Sequence, residues 1–345
     1  MAFKANALWK TFDIISEYCR ASTASSLNEM HLSLEKFGGE VHAYCPVYTD
    51  DTIEEFVKGC SHITFNSVAQ YTKYRDLVES YNATHPDRVS CGLRINPECS
   101  VIETDIYNPC MPGSRFGVLA DALTELPEGV EGLHFHALCE STSYDLEKVL
   151  ESVESKFGHL LPKVKWLNMG GGHLMTRAGY DIDHLVGVIN GLHKRYPNLE
   201  IIMEPGSAFA WRTGDLIARV LDIVEHKGIK TAIIDASFAC HMPDCLEMPY
   251  KPTITEALAE PDYSKPTYRI GGNSCLSGDF IGDWSFDEPL KTGDLLTFED
   301  MNHYTTVKTH MFNGIQHPSM VLQKANGELV VLREFDYLDY KYRMD

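Results

Sequence analysis

Over the first two hundred residues, short apolar runs rich in β-branched side chains alternate with longer stretches whose apolar positions recur at helical spacing. Strands are predicted near residues 20–24, 40–44, 62–65, 89–95, 130–136, 165–168 and 200–203. Helical stretches lie between them, at 26–37, 51–59, 67–80, 143–157 and 182–195. This βαβα order is that of a parallel sheet or barrel. Seven such strands are one fewer than a closed (β/α)8 barrel requires. The opening Met1-Ala2-Phe3-Lys4 reads as the last residues of the missing strand, with a lysine at its end.

From about Gly214 the pattern changes to β-rich runs at 216–225, 231–235, 268–270, 295–298 and 329–333, divided by turns bearing Pro and Gly. A mostly antiparallel second domain is expected there. The domain boundaries are therefore placed at 1–213 and 214–345, with the Pro-bearing segment 248–265 as a loop.

Composition narrows the function classes. With 44% hydrophobic and 23% charged residues the chain buries a substantial core. A net charge of −19 argues against nucleic-acid or anionic membrane surfaces and suits a cationic partner. The ten cysteines include no C-x-x-C pair, which fits reduced thiols in a cytoplasm. No run approaches the roughly 18 apolar residues of a membrane span.

Candidate chemistry sits at the predicted strand ends. Gly170-Gly171-Gly172 follows an apolar strand, and its backbone N–H groups suit an anion such as phosphate. Barrels often bind phosphate at this position. Glu204, in Glu204-Pro205-Gly206, stands at the end of the next strand. His134 and His136 alternate onto one face, where they suit either stacking against an aromatic cofactor or metal ligation. In the second domain, Cys275 and Asp279 occupy a loop rich in Gly and Ser, and Tyr304 and Asn313 follow.

This ordered set resembles the ornithine/diaminopimelate decarboxylase group, pyridoxal phosphate enzymes built as an alanine-racemase-like barrel plus a β domain. The resemblance covers essentially the whole chain. It implies that Lys4 carries the cofactor and that Glu204 pairs with the pyridine nitrogen. The glycine loop, Gly206 and Tyr304 would serve the phosphate. One of the two histidines would stack on the ring, with His134 preferred over His136, and Arg94 and Asn313 would support the pocket. Cys275 would deliver a proton from the partner subunit, which implies a homodimer with shared sites. The family's first barrel strand would begin upstream of Met1, so a longer natural protein is expected.

Within that group, relatives acting on diaminopimelate or ornithine carry an acidic residue directly after the loop cysteine, where this chain has Leu276. That departure, together with the runs Ser22–Glu29, His62–Ser67 and Lys308–Gly314, resembles the carboxynorspermidine/carboxyspermidine decarboxylase branch. The branch implies a flexible polycationic substrate, for which Asp235, Asp244, Glu247 and Asp279 are the candidate carboxylates. No metal is assigned. The competing readings are a diaminopimelate decarboxylase and a non-catalytic homologue. A third is a metal-dependent barrel hydrolase using His134 and His136 with His241 or Cys245.

Overall fold

In the computed structural model, which describes residues 1–102 and 104–345, the first alternation becomes seven parallel strands. They are β1 (Ala21–Ala24), β2 (Glu40–Tyr44), β3 (His62–Phe65), β4 (Ser90–Arg94), β5 (Val130–His134), β6 (Trp166–Asn168) and β7 (Glu200–Ile202). Each pairs with the next in sequence. Connecting helices are α1 (Phe12–Ser16), α2 (Leu27–Leu32, continued by a π turn over Ser33–Phe37), α3 (Ile53–Gly59), α4 (Val68–Thr84), α5 (Ser143–Phe157), α6 (Ile182–Arg195) and the short α7 (Ser207–Ala210).

Local sequence explains the helix starts. Ser26, Ser67 and Asp181 each accept a backbone N–H from the first turn, and Thr142 forms a reciprocal capping box with Asp145. Leu146, Val149, Leu150, Val153 and Phe157 recur at helical spacing and turn one face of α5 into the core.

The strands divide their side chains by period two. Val41, Ala43, Ile63, Phe65, Cys91, Leu93, Leu133 and Leu167 pack into the core on one face. The alternate residues meet across the barrel interior: the rings of Tyr44 on β2 and His134 on β5 are 5.2 Å apart. Likewise His62 on β3 lies 5.4 Å from Trp166 on β6. These contacts skip intervening strands, so the sheet is curled.

Met1–Phe3 occupies the gap between the first and last strands. Ala2 forms a parallel bridge with Thr23, and its N–H donates to the Pro205 carbonyl at 3.1 Å. Phe3 is fully buried, stacked on Phe12 at 4.6 Å with Phe37 edge-on at 5.8 Å. This aromatic anchor sets the position of Lys4, one residue further on.

Contacts divide the chain into two units, Met1–Trp211 and Arg212–Asp345. The second holds β8 (Leu216–His226), β9 (Ile229–Ile234), β10 (Thr267–Gly271), β11 (Phe280–Ser285) and β12 (Leu295–Phe298), in the order β11-β10-β9-β8-β12. Only β9 and β10 pair parallel in this sheet. A separate hairpin joins β13 (Met320–Gln323) to β14 (Leu329–Arg333), and α8 (Phe238–His241), α9 (Pro243–Glu247), α10 (Thr305–Lys308) and α11 (Tyr337–Tyr342) complete the unit. The β8–β9 turn places Lys227 and Gly228 at φ +54° and +81°, the left-handed pair that a two-residue hairpin requires.

Two strands, β11 and β13, go beyond the sequence reading. Gly282 and Asp283 break the β signature of the first, and Gln323 and Lys324 close the short second; sheet pairing overrides these preferences. Among the described residues no helix is long and apolar enough to cross a membrane.

Candidate active site

At the carboxyl ends of the barrel strands a set of polar side chains converges: Lys4, Tyr44, Arg94, His134, Asn168 and Glu204. Glu204 is 8% exposed. Its Oε1 accepts from Asn168 Nδ2 at 2.6 Å, and Oε2 lies 3.3 Å from His134 Nε2. Burial alone would push the Glu204 carboxyl up. The His134 and Asn168 side chains beside it outweigh burial and hold it well below the ordinary carboxylate range. Burial also lowers the pKa of His134, whose Nε2 is turned toward the Glu204 carboxylate.

Lys4 stands among these groups. Crowding by the surrounding protein holds its ammonium below the usual lysine pKa, and the Arg94 guanidinium adds to the effect while Glu204 opposes it. No ion pair to Lys4 forms among the described residues. Across the mouth, burial pushes the Glu29 carboxyl up, against the Ser25 N–H that it accepts at 2.6 Å and the charge of Lys4. Lys4 stays exposed at the mouth, while the protein around it makes its ammonium easier to deprotonate.

The two histidines have different roles. His134 is 1% exposed and sealed between Tyr44 and Glu204. His136 is only half-buried, and its Nδ1 accepts the Gly171 N–H at 2.9 Å. Arg94 Nη2 donates to the His136 carbonyl at 3.1 Å, while its guanidinium lies 4.7 Å from the Tyr44 ring and 4.3 Å from that of Phe116. Arg94 thus braces the β5 end.

The glycine loop is packed against neighbouring backbone. A Cβ on Gly170, Gly171 or Gly172 would stand 2.5, 2.5 and 2.2 Å from the carbonyl oxygens of Phe135, Glu204 and Leu138. The Gly170 amide donates to Asn168 Oδ1 at 2.9 Å and that of Gly171 to His136. Two of the three amides expected for an anion are therefore committed within the protein. Gly206 is held less tightly, with its Cβ position 2.8 Å from Ala5 Cβ and 2.9 Å from the Ala2 carbonyl oxygen.

In the second unit, Cys275 is exposed and its N–H donates to Asn313 Oδ1 at 2.8 Å. Asn313, expected at the cofactor, is a brace for the cysteine loop, and its own backbone takes a left-handed φ of +59°. Tyr304, also at positive φ, lies at the start of α10 beside His303.

The four carboxylates expected for substrate are each engaged by the protein itself. Asp279 is 4% exposed and accepts from the Ala239 N–H at 3.0 Å and from Ser274 Oγ at 2.5 Å, stapling its own loop. Asp244 and Glu247 both bind Lys308. Asp235 accepts the Arg219 N–H at 2.7 Å. Each of the four therefore has a partner within the protein with which an incoming cation would compete. The sequence reading also missed Asn168 and Tyr44. Asn168 precedes the glycine triplet at a strand end, and Tyr44 alternates with His42 onto the inner face, so period-two alternation was the available signal.

His134 and His136, the barrel histidines of the metal-hydrolase reading, face Glu204 and the Gly171 amide.

A barrel mouth of this composition, with a low-pKa lysine facing a buried carboxylate, defines a class that the comparisons identify. The family described as pyridoxal-dependent decarboxylase, C-terminal sheet domain, matches residues 47–302, and the chain belongs to it. It is a carboxy-lyase of that family.

A carboxyaminopropylagmatine decarboxylase of Synechocystis is 48% identical over 345 residues, spanning 100% of this chain and 87% of that protein. A carboxynorspermidine/carboxyspermidine decarboxylase of Campylobacter jejuni is 37% identical, across 99% of this chain and 90% of its own length. The crystal structure of carboxynorspermidine decarboxylase from that organism, complexed with norspermidine, superposes with a TM-score of 0.88 at 36% identity, covering 99% and 91% of the two chains. Diaminopimelate decarboxylase from Helicobacter pylori shares the fold, with a TM-score of 0.83 at 18% identity over 99% and 88% of the chains.

Proposed function

We propose that the chain decarboxylates a carboxylated polyamine, carboxynorspermidine or carboxyspermidine, leaving norspermidine or spermidine, with pyridoxal phosphate as cofactor. The observation that carries this reading is the likeness over nearly the whole chain to carboxynorspermidine/carboxyspermidine decarboxylases, together with Lys4 and the buried Glu204 at the barrel mouth. The residues fit the cofactor: a reactive amine, a carboxylate suited to a ring nitrogen, and a cradle whose close approaches only glycine allows.

When bound, pyridoxal phosphate supplies an electron sink for the pair left behind as CO2 departs. Lys4 would hold the group through its amine. Glu204 would keep the ring nitrogen protonated, a charge-assisted bond of about 1.5–3 kcal/mol. Asn168 and His134 keep that carboxylate oriented and ionised. With Gly170 and Gly171 committed, the amides of Gly172 and Gly206 are the better phosphate donors.

The role of the stacking ring passes from His134 to His136, since His134 is sealed under Glu204 and His136 retains an accessible face. Arg94 positions His136 through its carbonyl. Cys275 would return a proton to the substrate carbon that lost CO2, with Asn313 holding its backbone. Cys275 and Tyr304 act in an assembled homodimer, and the compartment is the cytoplasm.

One observation favours a second substrate of the same class: the Synechocystis relative, at 48% identity, is named for carboxyaminopropylagmatine. The deciding experiment measures CO2 release and amine product from carboxyspermidine, carboxynorspermidine, carboxyaminopropylagmatine and diaminopimelate. At least one carboxylated polyamine is expected to exceed diaminopimelate in kcat/KM by more than about tenfold, or ~1.4 kcal/mol. Equal or faster turnover of diaminopimelate overturns the assignment.

A further inference from the structure

At the amino-terminal end of the barrel strands, opposite the mouth that carries Lys4, three metal-ligating side chains converge. Glu40 and His42 are two residues apart on β2 and share a face, and His62 opens β3 in register with His42. One donor atom from each lies within 4.8 Å of the others. His42 Nε2 is 3.6 Å from Glu40 Oε2. Two donors of a tetrahedral zinc ion, each about 2.0–2.1 Å from the metal, stand about 3.4 Å apart.

The decarboxylase chemistry uses none of these groups. His42 is 7% exposed, and its Nε2 has no hydrogen-bond partner among the described residues. A buried nitrogen left without a partner calls for a ligand, because buried polar atoms are nearly always paired. Ser61 Oγ lies 2.9 Å from His62 Nδ1 and 3.5 Å from Glu40 Oε2, so one hydroxyl braces two of the three donors. Glu40 is exposed, which leaves room for water to complete the coordination. Burial, with His62 as neighbour, lowers the pKa of His42 to about 4, and burial lowers that of His62 as well.

We propose that Glu40, His42 and His62 bind a divalent transition-metal cation of the zinc type, tying β2 to β3 at the base of the barrel. Two imidazoles and one carboxylate suit zinc and its neighbours, whereas calcium and magnesium prefer all-oxygen sites.

The test titrates Zn²⁺ into cofactor-loaded protein against a chromophoric chelator and repeats the titration with Co²⁺, whose visible absorption reports a low-coordinate site. One equivalent per chain is expected to bind with a Kd below about 10 μM. Glu40→Gln and His62→Gln should each weaken binding by more than about tenfold and remove the cobalt band. Retention of the cofactor's visible absorbance in both variants checks that they fold. Weaker binding in the parent protein, or stoichiometric binding that survives both substitutions, overturns the proposal.

Discussion

Asn168 joins two parts of the candidate site, and its removal tests whether Glu204 is held as a carboxylate. Its Nδ2 donates to Glu204 Oε1 at 2.6 Å, and its Oδ1 accepts the Gly170 N–H at 2.9 Å, both inside the barrel. A hydrogen bond to a charged group contributes about 1.5–3 kcal/mol and a neutral one about 0.5–1.5 kcal/mol. Asn168→Ala should therefore destabilise the cofactor-free protein by about 2–4 kcal/mol, a large share of the ~5–15 kcal/mol typical of a domain.

Asn168→Asp sharpens the test, because it keeps the acceptor for Gly170 but sets a second carboxylate against Glu204. In the parent, the depressed pKa of Glu204 gives stability that is present above the unfolded carboxylate pKa, about 4.5, and lost as pH falls through the folded value. In Asn168→Asp the two carboxylates must share a proton, which raises a folded pKa above its unfolded value. Stability then falls as pH rises, so the deficit relative to the parent should shrink on going from pH 7 to pH 5. Urea unfolding followed by circular dichroism at both pH values measures this. Parallel pH profiles for parent and Asn168→Asp, or an Asn168→Ala deficit below about 0.5 kcal/mol, would refute the reasoning.

Three further outcomes are expected. Phe3→Ala removes a fully buried ring from the Phe12–Phe37 cluster; it should cost about 3–5 kcal/mol in unfolding measurements and weaken cofactor loading through Lys4. Asn313→Ala releases the Cys275 backbone; it should lower kcat about tenfold or more at unchanged cofactor absorbance, and an unchanged kcat would remove Asn313 from the positioning role. Burial holds the pKa of His173 at about 4, so between about pH 6.5 and 4 the unfolded chain binds the extra proton and stability falls as pH is lowered. His173→Leu should flatten that slope, and an equal slope in both proteins would contradict the assignment.

Much of the fold was legible because period-two and helical-period patterns are local. The strands at 40–44, 62–65 and 295–298 and the helices at 143–157 and 182–195 coincide with the observed elements. The strand ends were less so: β4 and β5 stop at Arg94 and His134, although the amides of Ile95 and Phe135, one residue further on, still donate to the carbonyls of His134 and Asn168. The placement of Glu204 and the glycine loop beyond the ends of β7 and β6 was legible because a strand end is a local feature of the sequence. The different burial of His134 and His136 was not, since alternation puts both on one face.

By itself the sequence determined the alternation of strands and helices, the change of texture near Gly214 and which chemical groups stand at the strand ends. Each of these is a property of neighbours along the chain. Tertiary structure alone decided which charges are already paired. It gave Asp244 and Glu247 to Lys308, turned Asp279 inward on its loop, and put Asn168 between Glu204 and Gly170. It also brought Glu40, His42 and His62 together at the base of the barrel. Partners such as these are separated by tens of residues in sequence, and only the curl and register of the sheet set the distances on which a hydrogen bond or a metal site depends.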